Sequence, residues 1–173
     1  IYLHYVLDLW VEQWRKKMAT GDIIITRYAD DFVMGFQHKG EAQRFVRDLK
    51  VRLLKFGLEL HETKTRLIEF GRFAIEWRKQ REQSKPETFD FLGFTHVCVN
   101  RRTDGRFTVA RLPIAKRLRA KAKEVKTQLR RMMHKPLREQ GAWLKSVVQG
   151  VINYAAVPGA GAVLNSFRRY IIW

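Results

Sequence analysis

The sequence predicts an α+β body followed by an all-helical module. Two observations carry that reading. Hydrophobic periodicity runs helix, two strands, helix, three strands, and thereafter helices only. The charge is also unevenly placed: residues 1–100 hold 17 basic and 14 acidic side chains, whereas residues 101–135 hold 13 basic and 2 acidic. The change of module falls near Arg111-Leu112-Pro113, which separates residues 1–110 from residues 111–173.

The first apolar stripe comprises Tyr2, Val6, Leu7, Trp10, Val11 and Trp14, at three- and four-residue steps, and predicts a helix over residues 2–17. Ile23-Ile24-Ile25-Thr26 reads as a buried strand within 22–27, and Asp31 to Gln37 as a second strand. Only Ala29-Asp30 separates them, so a hairpin with Asp30 near its tip is expected. Ala42, Phe45, Val46, Leu49, Leu53 and Phe56 predict an amphipathic helix over 40–56, with Gly57 at its C-cap. Leu58 to Leu60, Thr65 to Phe70 and Phe89 to Val99 are strand-like, and the polar stretch 78–86 reads as an exposed loop. Asp104-Gly105 marks a hairpin between Val97-Cys98-Val99 and Phe107-Thr108-Val109. From Pro113, suited to a first helical position, Ile114, Leu118, Ala122, Val125, Leu129 and Met132 form an apolar stripe up to Met133. A helix over 137–154, a Pro158-Gly159 turn and a last helix complete the chain.

The composition excludes several classes. With 46% hydrophobic and 29% charged residues, a core can be buried and general disorder is excluded. One cysteine excludes a disulfide scaffold and a Cys-based zinc cluster. No apolar run approaches the ~20 residues of a membrane span, and Ile1-Tyr2-Leu3-His4 lacks the basic start of a signal peptide. An internal piece of a longer cytoplasmic protein is expected. The net charge of +17 points to a polyanion, with nucleic acid ahead of a membrane surface.

Tyr28-Ala29-Asp30-Asp31 is the strongest chemical signal. Adjacent carboxylates repel, and burial between apolar strands would add a desolvation cost. Mg²⁺ removes both penalties, because it binds through one or two carboxylates plus substrate phosphates. A solvated Asp-Asp turn is the competing reading.

The tetrapeptide between two apolar strands resembles the catalytic palm hairpin of reverse transcriptases. Phe56-Gly57-Leu58-Glu59-Leu60-His61-Glu62-Thr63-Lys64-Thr65 and Phe89-Asp90-Phe91-Leu92-Gly93-Phe94 are similar to the two motifs that follow it, a lysine motif and a primer-grip hairpin. Ile1 to Asp8 is similar to the palm helix before the hairpin, and Gly150-Val151-Ile152-Asn153-Tyr154 to a thumb segment of group II intron proteins. The chain is thereby identified as a suspected group II intron reverse transcriptase/maturase: a partial palm over 1–110 and a helical thumb over 111–173. The resemblance implies RNA-directed DNA synthesis by two-metal nucleotidyl transfer with Mg²⁺. Asp30 and Asp31 would be metal ligands, and Lys64 would stand near the nucleotide phosphates. Tyr28 and Ala29 would line the primer terminus, with Phe91, Leu92, Gly93 and Phe94 as the primer grip. RNA template, DNA primer, intron RNA and, in an intact protein, deoxynucleoside triphosphates would be the partners.

The family also needs a third carboxylate from an earlier palm strand, and neither Asp8, read as a surface charge, nor Asp22 matches it. A catalytically incomplete piece is therefore expected. Lys116, Arg117, Arg119, Lys121, Lys123, Lys126, Arg130 and Arg131 lie off the apolar stripe and form a candidate nucleic-acid face; a solvated helix face is the alternative. A splicing cofactor that binds RNA without chemistry is the second functional reading. Trp143, Tyr154 and Trp173 are expected in the core, Cys98 as a buried small apolar residue, and His38, His61, His96 and His134 as structural or exposed.

Overall fold

The computed structural model describes residues 1–172, the side chain of Ile172 excepted. Trp173 lies outside the described residues. The chain packs as two compact units, Ile1–Ile68 and Glu69–Trp173. The compositional boundary at 110–111 falls within the second unit, inside its strand Phe107–Pro113, and helices alone follow from Ala115.

In the first unit a π-helical turn, His4–Asp8, runs into helix α1, Leu9–Met18. Strands β1, Ile23–Tyr28, and β2, Asp31–Phe36, form an antiparallel hairpin, with pairs from Ile23↔Phe36 to Tyr28↔Asp31. Helix α2, Lys39–Leu54, follows. The predicted stripes converge: Val6, Leu7, Val11 and Trp14 meet Phe45, Leu49, Leu53 and Ile23 in one core. Ile25, Phe32, Met34 and Phe36 cover its flank. β1 is not wholly buried, since Ile24 is 70% exposed. The core covers one face of this two-stranded sheet, so side chains alternate in and out.

Polar contacts fix the helices. The Trp14 indole N–H donates to Asp48 Oδ2 at 2.8 Å. Glu41, in the first turn of α2, accepts from the Thr20 amide at 2.7 Å and the Thr20 hydroxyl at 2.6 Å. Gly57, at φ +67°, ends α2 as predicted. Its amide donates to Leu54 O and the Leu58 amide to Leu53 O, the paired bonds of a Schellman cap.

Residues 58–60 and 65–70 form no strands. Leu58 and Leu60 still pack on the core. Their apolar spacing reflects burial of an irregular segment, not pairing in a ladder.

The second unit contains a short helix that the sequence reading missed, α3, Ala74–Gln80. It occupies the start of the expected loop, which is exposed from Arg81 to Lys85. Arg81 Nη2 donates to both Glu69 carboxylate oxygens at 2.6 Å, and Arg78 Nε donates to Ser84 O at 2.8 Å. Strands β3, Phe89–Phe91, β4, Phe94–Asn100, and β5, Phe107–Pro113, form an antiparallel sheet in that order. The strand-like run 89–99 is thus cut by a turn at Leu92-Gly93. The β4–β5 connection closes over Arg101 to Arg106, with Gly105 at φ +68° as the Asp104-Gly105 signal predicts.

Helices α4, Ala115–Arg131, α5, Leu137–Ala155, and α6, Gly161–Ile172, complete the unit. Pro113 ends β5 and is not a helical residue. On α4 the predicted stripe faces inward, with Ala122 and Val125 buried and Met132 beyond them. Cys98 is buried, and burial pushes its thiol pKa up. Among the described residues, no helix is long and apolar enough to cross a membrane.

Candidate active site and nucleic-acid interface

The β1–β2 turn carries the acidic pair. Ala29 adopts φ +53°, and Asp30 does not share the positive sign, the pattern of a type II′ hairpin turn. Asp30 sits in the turn and Asp31 opens β2. Tyr28, Ala29, Asp30 and Asp31 are all exposed, so the desolvation cost expected for the carboxylates does not arise.

Arg27 holds this turn. Its Nη1 donates to Ala29 O at 2.7 Å, its Nε to Asp8 Oδ1 at 2.7 Å, and its Nη2 to Asp8 Oδ2. Asp8 is therefore not a free surface charge but one half of a partly buried two-pronged ion pair, joined by His4 Nδ1 at 3.3 Å. The hydrogen bond from Arg27 outweighs partial burial and holds the Asp8 pKa below its ordinary value. A depressed folded-state pKa stabilises above the ordinary aspartate range and loses that stabilisation as pH falls through the folded value. Asp8→Asn should destabilise the first unit by about 1 kcal/mol at pH 7. The difference from wild type should shrink as pH falls through the depressed Asp8 value and vanish below it, where both side chains are neutral. Urea melts across pH read it directly.

Lys64 stands on an exposed turn, its amide donating to His61 O at 3.1 Å, rather than at a strand start. Among the described residues no three His, Cys, Asp or Glu side chains gather as metal ligands. Asp30 and Asp31 do offer adjacent, solvent-facing hard oxygen donors, the type that Mg²⁺ takes in pairs together with substrate phosphates.

The second hairpin turns at Leu92-Gly93 between the paired Phe91 and Phe94. Both turn residues have positive φ, +49° and +84°, as a type I′ turn requires. The Ile114 amide, just before α4, donates to Gly93 O at 3.3 Å. The Tyr154 hydroxyl of α5 donates to Leu92 O at 3.0 Å, and its ring lies 5.4 Å from that of Phe94. Tyr154 is 58% exposed and so is not the core residue expected; Trp143 is half-buried. Gly93 was the sole sequence signal of a close approach at this turn. Nothing in the spacing revealed that Tyr154, 62 residues from Leu92, makes it.

On α4, Lys116, Arg117, Arg119, Lys123, Arg130 and Arg131 are exposed. Lys121 and Lys126 are half-buried: Lys121 Nζ lies 3.0 Å from Glu124 Oε1, and Lys126 Nζ lies 4.6 Å from the Tyr170 ring centre. His96 stacks on Phe89 at 4.8 Å, and His38, His61 and His134 are exposed.

The structure thus brings Tyr28 to Asp31 together on one turn, and Phe91 to Phe94 onto a second turn beside the start of α4. Residues 1–96, more than half of the chain, match the family described as reverse transcriptase (RNA-dependent DNA polymerase). The match contains Asp30, Asp31, Lys64 and Phe91 to Phe94. The chain belongs to the reverse transcriptase family. No curated protein sequence matches it.

Proposed function

We propose that the chain is the palm and thumb portion, residues 1–110 and 111–173, of a cytoplasmic group II intron reverse transcriptase/maturase. The exposed Asp30-Asp31 pair on a tight hairpin turn carries this reading. Its role is RNA-directed DNA synthesis by two-metal nucleotidyl transfer, with deoxynucleoside triphosphates added to a DNA primer on an RNA template. Asp30 and Asp31 would hold Mg²⁺, which when bound supplies positive charge to the attacking and leaving oxygens. Arg27 fixes the turn that carries Asp30. Lys64 places an exposed cation suited to triphosphate oxygens. Phe91 to Phe94 present a rigid turn to the primer end. The cationic face of α4 holds the duplex backbone by charge, with little dependence on sequence.

We further read these residues as binding template–primer without extending it alone, because neither Asp8 nor Asp22 matches the third carboxylate that the resemblance requires. The second reading is an intron RNA-binding splicing cofactor without chemistry of its own, which the exposed cations of α4 favour.

Primer extension with Mg²⁺ on an RNA template carrying a DNA primer, with binding to that duplex measured across salt, tests the proposal. If half of the eight α4 cations contact phosphate, affinity should fall roughly a hundredfold between 50 and 200 mM salt. No extension is expected. Extension that Asp30→Ala stops would place a third carboxylate within these residues and overturn the incompleteness. For the metal role, Mn²⁺ should broaden the amide signals of Tyr28 to Asp31, and Asp30→Ala should remove the effect. Broadening that survives the substitution removes Asp30 from the ligand set, and a flat salt response removes the nucleic-acid face.

A further inference from the structure

We infer that Tyr154 is a positioning residue for the Leu92-Gly93 turn, holding it in the one conformation that a recessed primer end can meet. This rests on the proposed reading of Phe91 to Phe94 as a primer grip. Three independent features of the second unit carry it.

The first is the backbone of Leu92. A γ-branched residue at φ +49° occupies a region that L side chains enter rarely, and it leaves that region unless its neighbours hold it. Leu92 is itself 45% exposed, so packing of its side chain is not the restraint. The restraint is polar: the Tyr154 hydroxyl donates to Leu92 O at 3.0 Å.

The second is Gly93. A Cβ at this position would overlap the Tyr154 hydroxyl oxygen and stand 3.2 Å from Cζ. The tyrosine therefore lies directly against the turn backbone, and any side chain at this position would have to displace its hydroxyl.

The third is the opposite side of the same turn. The Ile114 amide donates to Gly93 O at 3.3 Å, and a Gly93 Cβ would stand 3.4 Å from Arg117 Nη1. The turn is held by α5 through Leu92 O and by the start of α4 through Gly93 O. Arg117 places one cation of the α4 face at the same point.

Two turn carbonyls that would otherwise face water are thus committed to protein donors. The chain direction at Phe91 and Phe94 is fixed by a residue 62 positions away from Leu92, whose own atoms need not touch nucleic acid. Tyr154 then acts on primer-end recognition through the turn, and not on the general attraction between α4 and the duplex.

Tyr154→Phe removes the donor and keeps the ring beside Phe94. Two measurements on the full chain test the inference: amide exchange across Phe91 to Phe94, and the affinity ratio between an RNA template with a recessed DNA primer and a continuous RNA–DNA hybrid of equal length. Faster exchange and about a fivefold loss of the preference for the recessed end are expected, from one missing hydrogen bond. The salt slope on the continuous hybrid should be unchanged. A retained preference overturns the inference, whatever exchange shows. If the wild-type chain shows no preference, the primer-grip reading fails instead. Exchange alone then decides whether Tyr154 positions the turn, and unchanged exchange overturns that too.

Discussion

Phe45→Ala is expected to remove most of the stability of the first unit. Phe45 is 2% exposed, and its ring lies 5.1 Å from that of Trp14, 5.4 Å from Trp10 and 5.2 Å from Phe36. Truncation loses the transfer free energy of the ring and leaves a cavity, about 3–5 kcal/mol together. A unit of this length has a total of roughly 3–10 kcal/mol, so the loss decides whether it folds. The cavity has little means of closing. Trp14 is tied to Asp48 by its indole N–H, and Leu49 and Leu53 sit on the same helix face as Phe45. Urea denaturation gives the magnitude, and the Trp14 indole N–H signal reports whether the native packing persists. Phe45→Leu, which retains part of the volume, should cost markedly less. A loss under about 1 kcal/mol for Phe45→Ala would mean that the aromatic cluster is not what joins the helices to the hairpin.

The cluster was legible because its period is local. Val6, Leu7, Val11 and Trp14 repeat along one helix, Phe45, Leu49 and Leu53 along another, and each stripe needs a partner face. The Asp30 turn was legible for a similar reason: two apolar runs separated by two residues leave only a tight hairpin as their connection. Where the sequence misled, the signal was real but its cause was different. Leu58 and Leu60 alternate like a strand because they pack on a core, and no second chain segment pairs with them. Pro113 suits a helix start, yet it closes β5, because its partner Phe94 extends the β4–β5 ladder that far. Helix α3 is short, and Arg78, Lys79 and Arg81 around it hid its few apolar positions, Ala74, Ile75 and Trp77.

The contacts that organise the candidate site were the least legible. Asp8 and Arg27 are 19 residues apart, and no pattern distinguishes them from other surface charges. Their pairing depends on the angle at which the first helix crosses β1, a property of packed side chains rather than of spacing. Tyr154 is hidden in the same way, since α5 buries little besides Ala155. Its apolar period therefore gave no warning that one exposed tyrosine faces a turn.

Gly93→Ala should show how much that turn depends on glycine. At φ +84° an alanine costs about 1–2 kcal/mol in backbone strain alone. The added methyl would also displace the Tyr154 hydroxyl and break its bond to Leu92 O, about 1 kcal/mol more. The second unit should therefore lose roughly 2–3 kcal/mol, read by denaturation of the full chain. The two costs separate in a double-mutant cycle with Tyr154→Ala. If the methyl acts through the tyrosine, Gly93→Ala in the Tyr154→Ala background should cost only the backbone part, leaving a coupling of about 1 kcal/mol between the two positions. Additive losses would mean that Tyr154 yields freely and that the turn is held by its backbone alone. The sign of the coupling matters beyond stability. A turn that glycine permits and tyrosine enforces is a rigid surface, and rigidity is what the proposed primer-grip role requires, because a misplacement of about 1 Å at reacting atoms can cost a hundredfold in rate.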